Sequence, residues 1–531
     1  MKFRLNHFVN IIFPSFVFAS ITGVLTAVVV TVYTWLVHHA VELSDGMYRY
    51  LRGNLYIVPI VLAALFGFSF FIAYAHKMMP SLKGDGIPTS IGLLRGVLSF
   101  KWLPNLLGIF VLSLSTILIG VPLGNEGIAV QMGTALGRGA VYPFRKKHGA
   151  WDRYAMTGGT CAGFSVATGA PISGIMFSLE EAHQRITPMI IMVSCTSVMF
   201  SYITCEILSS VFHVQGGLVS HTELITLSIK DIWIPVVVGI VVGLGAVLFL
   251  KYYRLLSRFF NKKLKNVKKS YKIFAIYALT VLLGLLSFDF ISTGHDLIVE
   301  LLKSKTAIYM LLLILLVRCT MSLAANTTGI TGGMHLPVLA VGALLASIVG
   351  EILQSVIGFS DDYYLVILVL GIASCFAGML KMPITAIMFS VEVLGCHESI
   401  LYVIVATSFA YAITEIFRVK SINETILDTK VEEFNEDKTP KVFDTFVTVQ
   451  KGAFAIGKQI RDIFWPSNLF VLSLRHDDTK HAEVDEHGDK SIREGDILHV
   501  RYSTYDEDQT REELMAIVGE QTYNEAETDT I

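Results

Sequence analysis

Charge is scarce in this chain. Asp, Glu, Lys and Arg make up 16% of its 531 residues, against about one quarter in an ordinary soluble domain. Apolar residues make up 53%. The shortage of charge excludes a string of soluble domains over most of the length. The apolar excess excludes disorder, which needs low hydrophobicity and high net charge. Cysteine is scarce as well. Cys161, Cys195, Cys205, Cys319, Cys375 and Cys396 share no CxxC spacing, so they indicate neither a disulfide framework nor a metal site and read as packing residues. HExxH and any nucleophile–base set are missing, which argues against an intramembrane enzyme. A TVGYG filter is missing too, which argues against a potassium pathway. Neither a metal nor an organic cofactor is expected.

What charge there is divides the chain. Residues 428–531 hold 24 of the 44 acids but only 12 of the 42 Lys and Arg. Two bodies with different solvents therefore join near residue 428. In the first body, residues 11–37 run without a charge, too long for a cleaved leader and long enough to span a bilayer. Further charge-free runs occur at 54–75, 102–125, 186–204, 232–250, 273–288, 319–350, 363–380 and 399–413. Shorter Gly-, Pro- and Ser-rich stretches at 87–94 and 167–179 suggest half-helices that end inside the membrane, where protein or a water-filled site must satisfy the backbone. Residues 251–272 carry nine basic residues and no acid, which places that loop in the cytoplasm rather than marking a nucleic-acid patch.

Pro171–Glu180 reads PISGIMFSLE and Pro383–Glu392 reads PITAIMFSVE, with seven of ten positions identical. A duplicated half with broken helices is a mark of transporters whose sites lie where the halves meet. The sequence leaves open whether the halves are parallel or inverted. Three Gly-rich turns stand out: Gly84-Asp85-Gly86-Ile87-Pro88, Gly124-Asn125-Glu126-Gly127-Ile128 and Gly332-Gly333-Met334-His335-Leu336-Pro337. Each precedes a helix-compatible apolar run, and N–H groups at a helix N-terminus make an anion site without a full positive charge. Such weak binding suits a conduction path. Glu126 is the only ionisable residue between Trp102 and Arg138. A carboxylate there costs about 3 kcal/mol or more, and intramembrane acids mark ion or proton paths. Ionised, it can occupy an anion site like a tethered anion; protonated, it can leave.

These motifs resemble those of the CLC family of chloride channels and proton-coupled chloride transporters: GDGIP, GNEGI and GGMHLP recur in the family's order, and the family's APLSG…FSLEE segment recurs as Ala170–Glu181. The resemblance covers about residues 10–427. It implies a homodimer of inverted-repeat subunits, each with its own anion pathway. It further implies Glu126 as the external gate and Glu181 as the inner proton-transfer residue. The backbone around Gly86, Ile87, Gly127, Ile128, Met334 and His335 would coordinate the anion. Two departures bear on selectivity. Asp85 stands where the family has a serine donor, and Asn423 aligns where a tyrosine is expected. Asn423 can still donate, whereas an ionised Asp85 only accepts. Capping is the plainest role for Asp85, and packing the plainest for the His335 side chain.

The second body resembles the TrkA-C (RCK-C) subdomain of potassium-channel regulators over about residues 440–517, with a strand ending near Val449, a short helix over 452–460 and strands over 468–474 and 496–502. It implies a dimerising, regulatory module for an unknown ligand. Four segments are therefore expected: a transport domain at 1–427, a linker at 428–440, the regulatory domain at 441–517, and an acidic disordered tail at 518–531. The fold class is an all-α polytopic membrane protein followed by a small α+β cytoplasmic domain, located in a cell (inner or plasma) membrane. Proton-coupled chloride exchange is the expected function. A gated chloride channel and a fluoride/proton antiporter are the alternatives, and a cation transporter is disfavoured. The expected partners are the anion, protons and the lipid bilayer, with no nucleic acid.

Overall fold

The computed structural model describes residues 12–144, 149–212, 227–358, 362–436, 438–476 and 488–520. The first half contains α1 (Phe13–Gly53), α2 (Val58–Met78), α3 (Gly86–Leu94), α4 (Trp102–Ile119), α5 (Glu126–Val141), α6 (Asp152–Thr168), α7 (Pro171–Phe177) and α8 (Pro188–Phe212). The second half contains α9 (Trp233–Lys262), α10 (Lys269–Leu286), α11 (His295–Lys303), α12 (Ile308–Thr328), α13 (His335–Ile357), α14 (Asp362–Cys375), α15 (Pro383–Glu392) and α16 (Ile400–Ile416). Among the described residues, nine helical stretches are long and apolar enough to cross a membrane. The chain is a multi-pass membrane protein.

The duplication reaches well beyond the ten matched residues. The short helices α3 and α11 have nine residues each. Helices α4 and α12 both stop at a glycine in the left-handed region, Gly120 (φ +84°) and Gly329 (φ +81°), where a side chain would be strained. Four residues beyond each stop, Gly124 and Gly333 pair as an antiparallel bridge: each N–H donates to the other's carbonyl, at 2.7 and 2.8 Å. The next helix of each half, α5 or α13, then begins.

Helices α7 and α15 fix the relation of the halves. Glu180, just after α7, accepts from the amides of Ile384 (3.0 Å) and Thr385 (2.8 Å) at the start of α15. Glu392, at the end of α15, accepts from the amides of Ile172 (2.6 Å) and Ser173 (2.8 Å) at the start of α7. The tail of each helix meets the head of the other, so the two run antiparallel and the halves are inverted.

The charge-free run at 319–350 covers parts of α12 and α13, on either side of the Gly332-Gly333 turn. One expectation is corrected in detail. Much of the basic 251–272 stretch is helical, because α9 extends to Lys262 and α10 starts at Lys269. A final helix of this body, α17 (Ile422–Phe434), crosses the expected boundary at 427/428.

The small domain carries β1 (Lys441–Thr448), β2 (Leu469–Arg475), β3 (Ile497–Thr504) and α18 (Glu507–Val518). Its antiparallel sheet has the order β1-β3-β2. The helix expected over 452–460 does not form: turns fill the stretch and only a single 3₁₀ turn follows at Ile460–Asp462. Gly452 (φ +75°) and Gly457 (φ +79°) lie in the left-handed region, which interrupts a right-handed helix. Most of the tail expected to be disordered, 521–531, lies outside the described residues. The small domain packs on the membrane body. Tyr154 Oη donates to the Asp462 carbonyl (2.7 Å) and Arg153 to the Trp465 carbonyl (2.6 Å). The Phe464 ring stacks on His183 at 4.7 Å.

Candidate functional site

The three Gly-rich turns, far apart in sequence, meet at one place. Besides the Gly124–Gly333 bridge, Gly84 N–H donates to Gly329 carbonyl (3.1 Å) and Gly332 N–H to Gly84 carbonyl (3.3 Å). The approach demands small residues. A Cβ on Gly86 would collide with the Gly127 carbonyl, and one on Gly127 with Asp85 Oδ1. Three helices, α3, α5 and α13, therefore start from one buried cluster. Their first N–H groups lack intrahelical partners. In α5 the first intrahelical bond runs from Ala129 N–H to Asn125 carbonyl (2.9 Å), which leaves the amides of Gly127 and Ile128 ahead of it. In α13 it runs from Val338 N–H to Met334 carbonyl (3.0 Å), which leaves those of His335 and Leu336.

Asp85 caps α3 and does more. Its Oδ1 accepts from Ile87 N–H (3.0 Å), the capping bond that its residue type suggests. Its Oδ2 accepts from Met334 N–H (2.9 Å) at the head of α13 in the other half. The residue is fully buried. One carboxylate thus joins two helix N-termini, each with the positive end of its dipole turned toward it.

Glu126 opens α5 and is buried. Its Oε2 lies against Gly124 and makes no hydrogen bond among the described residues. His335, the first residue of α13, is buried beside the rings of Phe376 (4.9 Å), Phe164 (5.3 Å) and Phe389 (6.0 Å). Both its ring nitrogens lack partners among the described residues.

Glu181 sits elsewhere, in the π-helical turn Ser178–Ala182 that follows α7. Such turns recur at functional sites because they present a side chain outside the α-helical ladder. Its Oε1 accepts from Asn423 Nδ2 (3.1 Å), and both residues are buried. Asn423 therefore contacts Glu181, with its own Oδ1 unpartnered among the described residues. Helix α3 links the two places. Asp85 stands at its head; Arg95, at its end, donates to the carbonyls of Glu181 (3.0 Å) and Ala182 (3.2 Å) and pairs with Glu424 (2.7 Å). The neighbouring Glu180 is turned away into its capping role.

The sequence reading missed Lys430. From α17 its Nζ donates to the carbonyls of Lys83 (2.6 Å) and Asp85 (2.8 Å) and to Thr89 Oγ1. The signal was present. Lys430 follows Asn423 and the buried Ile426 and Leu427 at helical spacing, so it falls on the inward stripe. Among the described residues no group of His, Cys, Asp and Glu could hold a metal.

Comparison with known proteins bears on the family and the fold. Residues 68–415 match the family model described as voltage gated chloride channel. The H(+)/Cl(-) exchange transporter ClcA of Vibrio parahaemolyticus is 26% identical over 411 residues, covering 76% of this chain and 87% of the relative. A slow cyanobacterial Cl-/H+ antiporter of known structure is similar in fold, with TM-score 0.73, 20% identity and coverage of 79% of this chain and 99% of that one. A CLC-type fluoride/proton antiporter superposes with TM-score 0.62 at 19% identity, covering 76% and 96% of the two chains.

Proposed function

This chain belongs to the voltage-gated chloride channel (CLC) family, and on that premise we propose that it exchanges an inorganic anion, chloride first, for protons across a cell membrane. The observation that carries this reading is Glu126. It is a buried carboxylate with an unpartnered oxygen at the head of a helix whose first amides are free of intrahelical bonds. Ionised, such a group competes with a small anion for those amides; protonated, it loses its claim on them and releases the position. Proton and anion then alternate at one place, which is the coupling an exchanger needs.

Glu181 serves as the inner proton-transfer residue. Its carboxylate is buried, held by the Asn423 amide and placed by Arg95 at the opposite end of α3 from Asp85. A channel would need only the outer gate, and retention of both acids favours exchange. The relatives described as exchangers or antiporters agree with this choice. Fluoride is the second reading, because Asp85 and Asn423 replace both side-chain hydroxyl donors. The molecule acts as a homodimer, with the small domain in the cytoplasm as a regulatory module.

Purified protein in liposomes tests the reading, with chloride efflux and external pH recorded together and fluoride as comparison anion. Proton uptake that tracks chloride efflux and can be driven uphill by it is the expected result. Chloride flux without proton movement would establish a channel instead, and brisk fluoride flux beside negligible chloride flux would change the substrate.

A further inference from the structure

We infer that Asp85 is a resident anion, a carboxylate that permanently occupies the amides of Ile87 and Met334 and excludes the transported inorganic anion from that position. The inference rests on the anion-pathway reading above and narrows where on that pathway an anion binds.

The two oxygens of Asp85 take up two N–H donors from opposite halves of the protein, Ile87 at 3.0 Å and Met334 at 2.9 Å. A simple N-cap satisfies only its own helix. Here the second oxygen reaches a residue 249 positions away, at the head of a different helix. The oxygen also fills space. Oδ1 stands where a Cβ of Gly127 would go, so the volume facing the α5 turn is taken as well. The group has a cationic neighbour to balance it: half-buried Lys430 bonds the backbone carbonyl of Asp85 and the Thr89 hydroxyl one turn further along α3 through Nζ.

An inorganic anion bound here would have to displace a competitor on a tether of one Cβ. Tethering gives a ligand an effective concentration at the millimolar level or above, and charge-assisted bonds to backbone N–H groups are the strong kind. A free halide must break two such bonds and shed its own hydration before it can take their place. The carboxylate therefore acts as a specificity-determining group. It leaves the amides ahead of α5, beside Glu126, as the place where a mobile anion binds, and it keeps those of Ile87 and Met334 for itself.

The test uses the full chain purified in detergent in a chloride-free buffer. Chloride binding is measured by titration calorimetry for the native protein, Asp85→Ser and Asp85→Asn, and crystals of each are soaked in bromide. The serine variant opens the amide pair and should bind chloride at least tenfold more tightly, with bromide between Ile87 N and Met334 N. The native protein should show no bromide there. The near-isosteric asparagine variant cannot accept at both amides. It should bind chloride several-fold more tightly than the native chain, which keeps the test open if the serine variant fails to fold. Bromide on these amides in the native protein, or unchanged affinity in the variants, overturns the inference. Transport failure is separable. A native chain that moves neither chloride nor protons in liposomes defeats the exchange reading, while a gain of binding in Asp85→Ser still stands.

Discussion

Glu180 and Glu392 each cap the other's half of the molecule. Glu180 takes three donors at the head of α15, the amides of Ile384 and Thr385 and the Thr385 hydroxyl (2.7 Å). Glu392 takes the corresponding three at the head of α7, including the Ser173 hydroxyl (2.6 Å). The ten-residue repeat thus ends in glutamate twice for one physical reason: the helix of each copy starts with proline and offers its first amides to the acid that ends the other.

Either cap is therefore worth testing by removal. Glu180→Ala and Glu392→Ala each strand one buried amide, one amide of an exposed residue and a hydroxyl, at a cost of about 1–3 kcal/mol. Thermal unfolding in detergent should show a lowered midpoint for both. Glu180→Ala should leave proton coupling in the folded fraction intact, in contrast to changes at its neighbour.

Glu126→Gln removes a carboxylate at the Gly-rich turns that can alternate between charged and neutral forms. Proton movement should fall to background while anion flux continues at an altered rate. Liposome recordings with a chloride electrode and a pH electrode read both quantities at once. Coupled exchange that survives in the variant would defeat the mechanism.

Glu181→Gln should also stop proton movement yet spare anion flux, because the residue lies away from the three turns. Asn423→Leu removes the one side-chain donor given to Glu181 (3.1 Å). It should slow proton transport several-fold without abolishing it. Equal loss of anion flux in both variants would mean that they act by damaging the fold.

Lys458 supplies a pH dependence in the small domain. It is buried, with Nζ over the Phe454 ring and bonded to that residue's carbonyl. Burial pushes its pKa down to about 7, whereas an unfolded lysine titrates near 10.4. Between those values the unfolded chain binds the extra proton, so stability rises with pH there, by at most about 1.4 kcal/mol per unit. Lys458→Met should flatten this slope and stabilise the domain near pH 7. Hydrogen exchange of β1–β3 in the full chain, followed from pH 6 to 9, measures it.

Much of this was legible in the linear text. The Gly-rich turns, the repeat and Glu126 declared themselves by composition and spacing, and the resemblance they carry led to the right family. What escaped depends on contacts across the chain. Nothing near Asp85 announces Met334 as its second partner. Helices α5 and α6 were not picked out as apolar runs because Glu126 and Arg138 fall in one and Asp152 and Arg153 in the other; burial against neighbouring helices, rather than hydrophobicity, holds them. The failed helix at 452–460 had the reverse cause, since an apolar stretch outweighed two glycines that set the backbone.

The reciprocal caps also impose an order of events during synthesis. When the ribosome has made α7, the acid that completes it lies 220 residues ahead. At roughly 5–20 residues per second, the amides of Ile172 and Ser173 wait on the order of tens of seconds for Glu392. The first half thus enters the bilayer unfinished. Its maturation is timed by the arrival of the second, and a chain halted midway is left with an uncapped helix head.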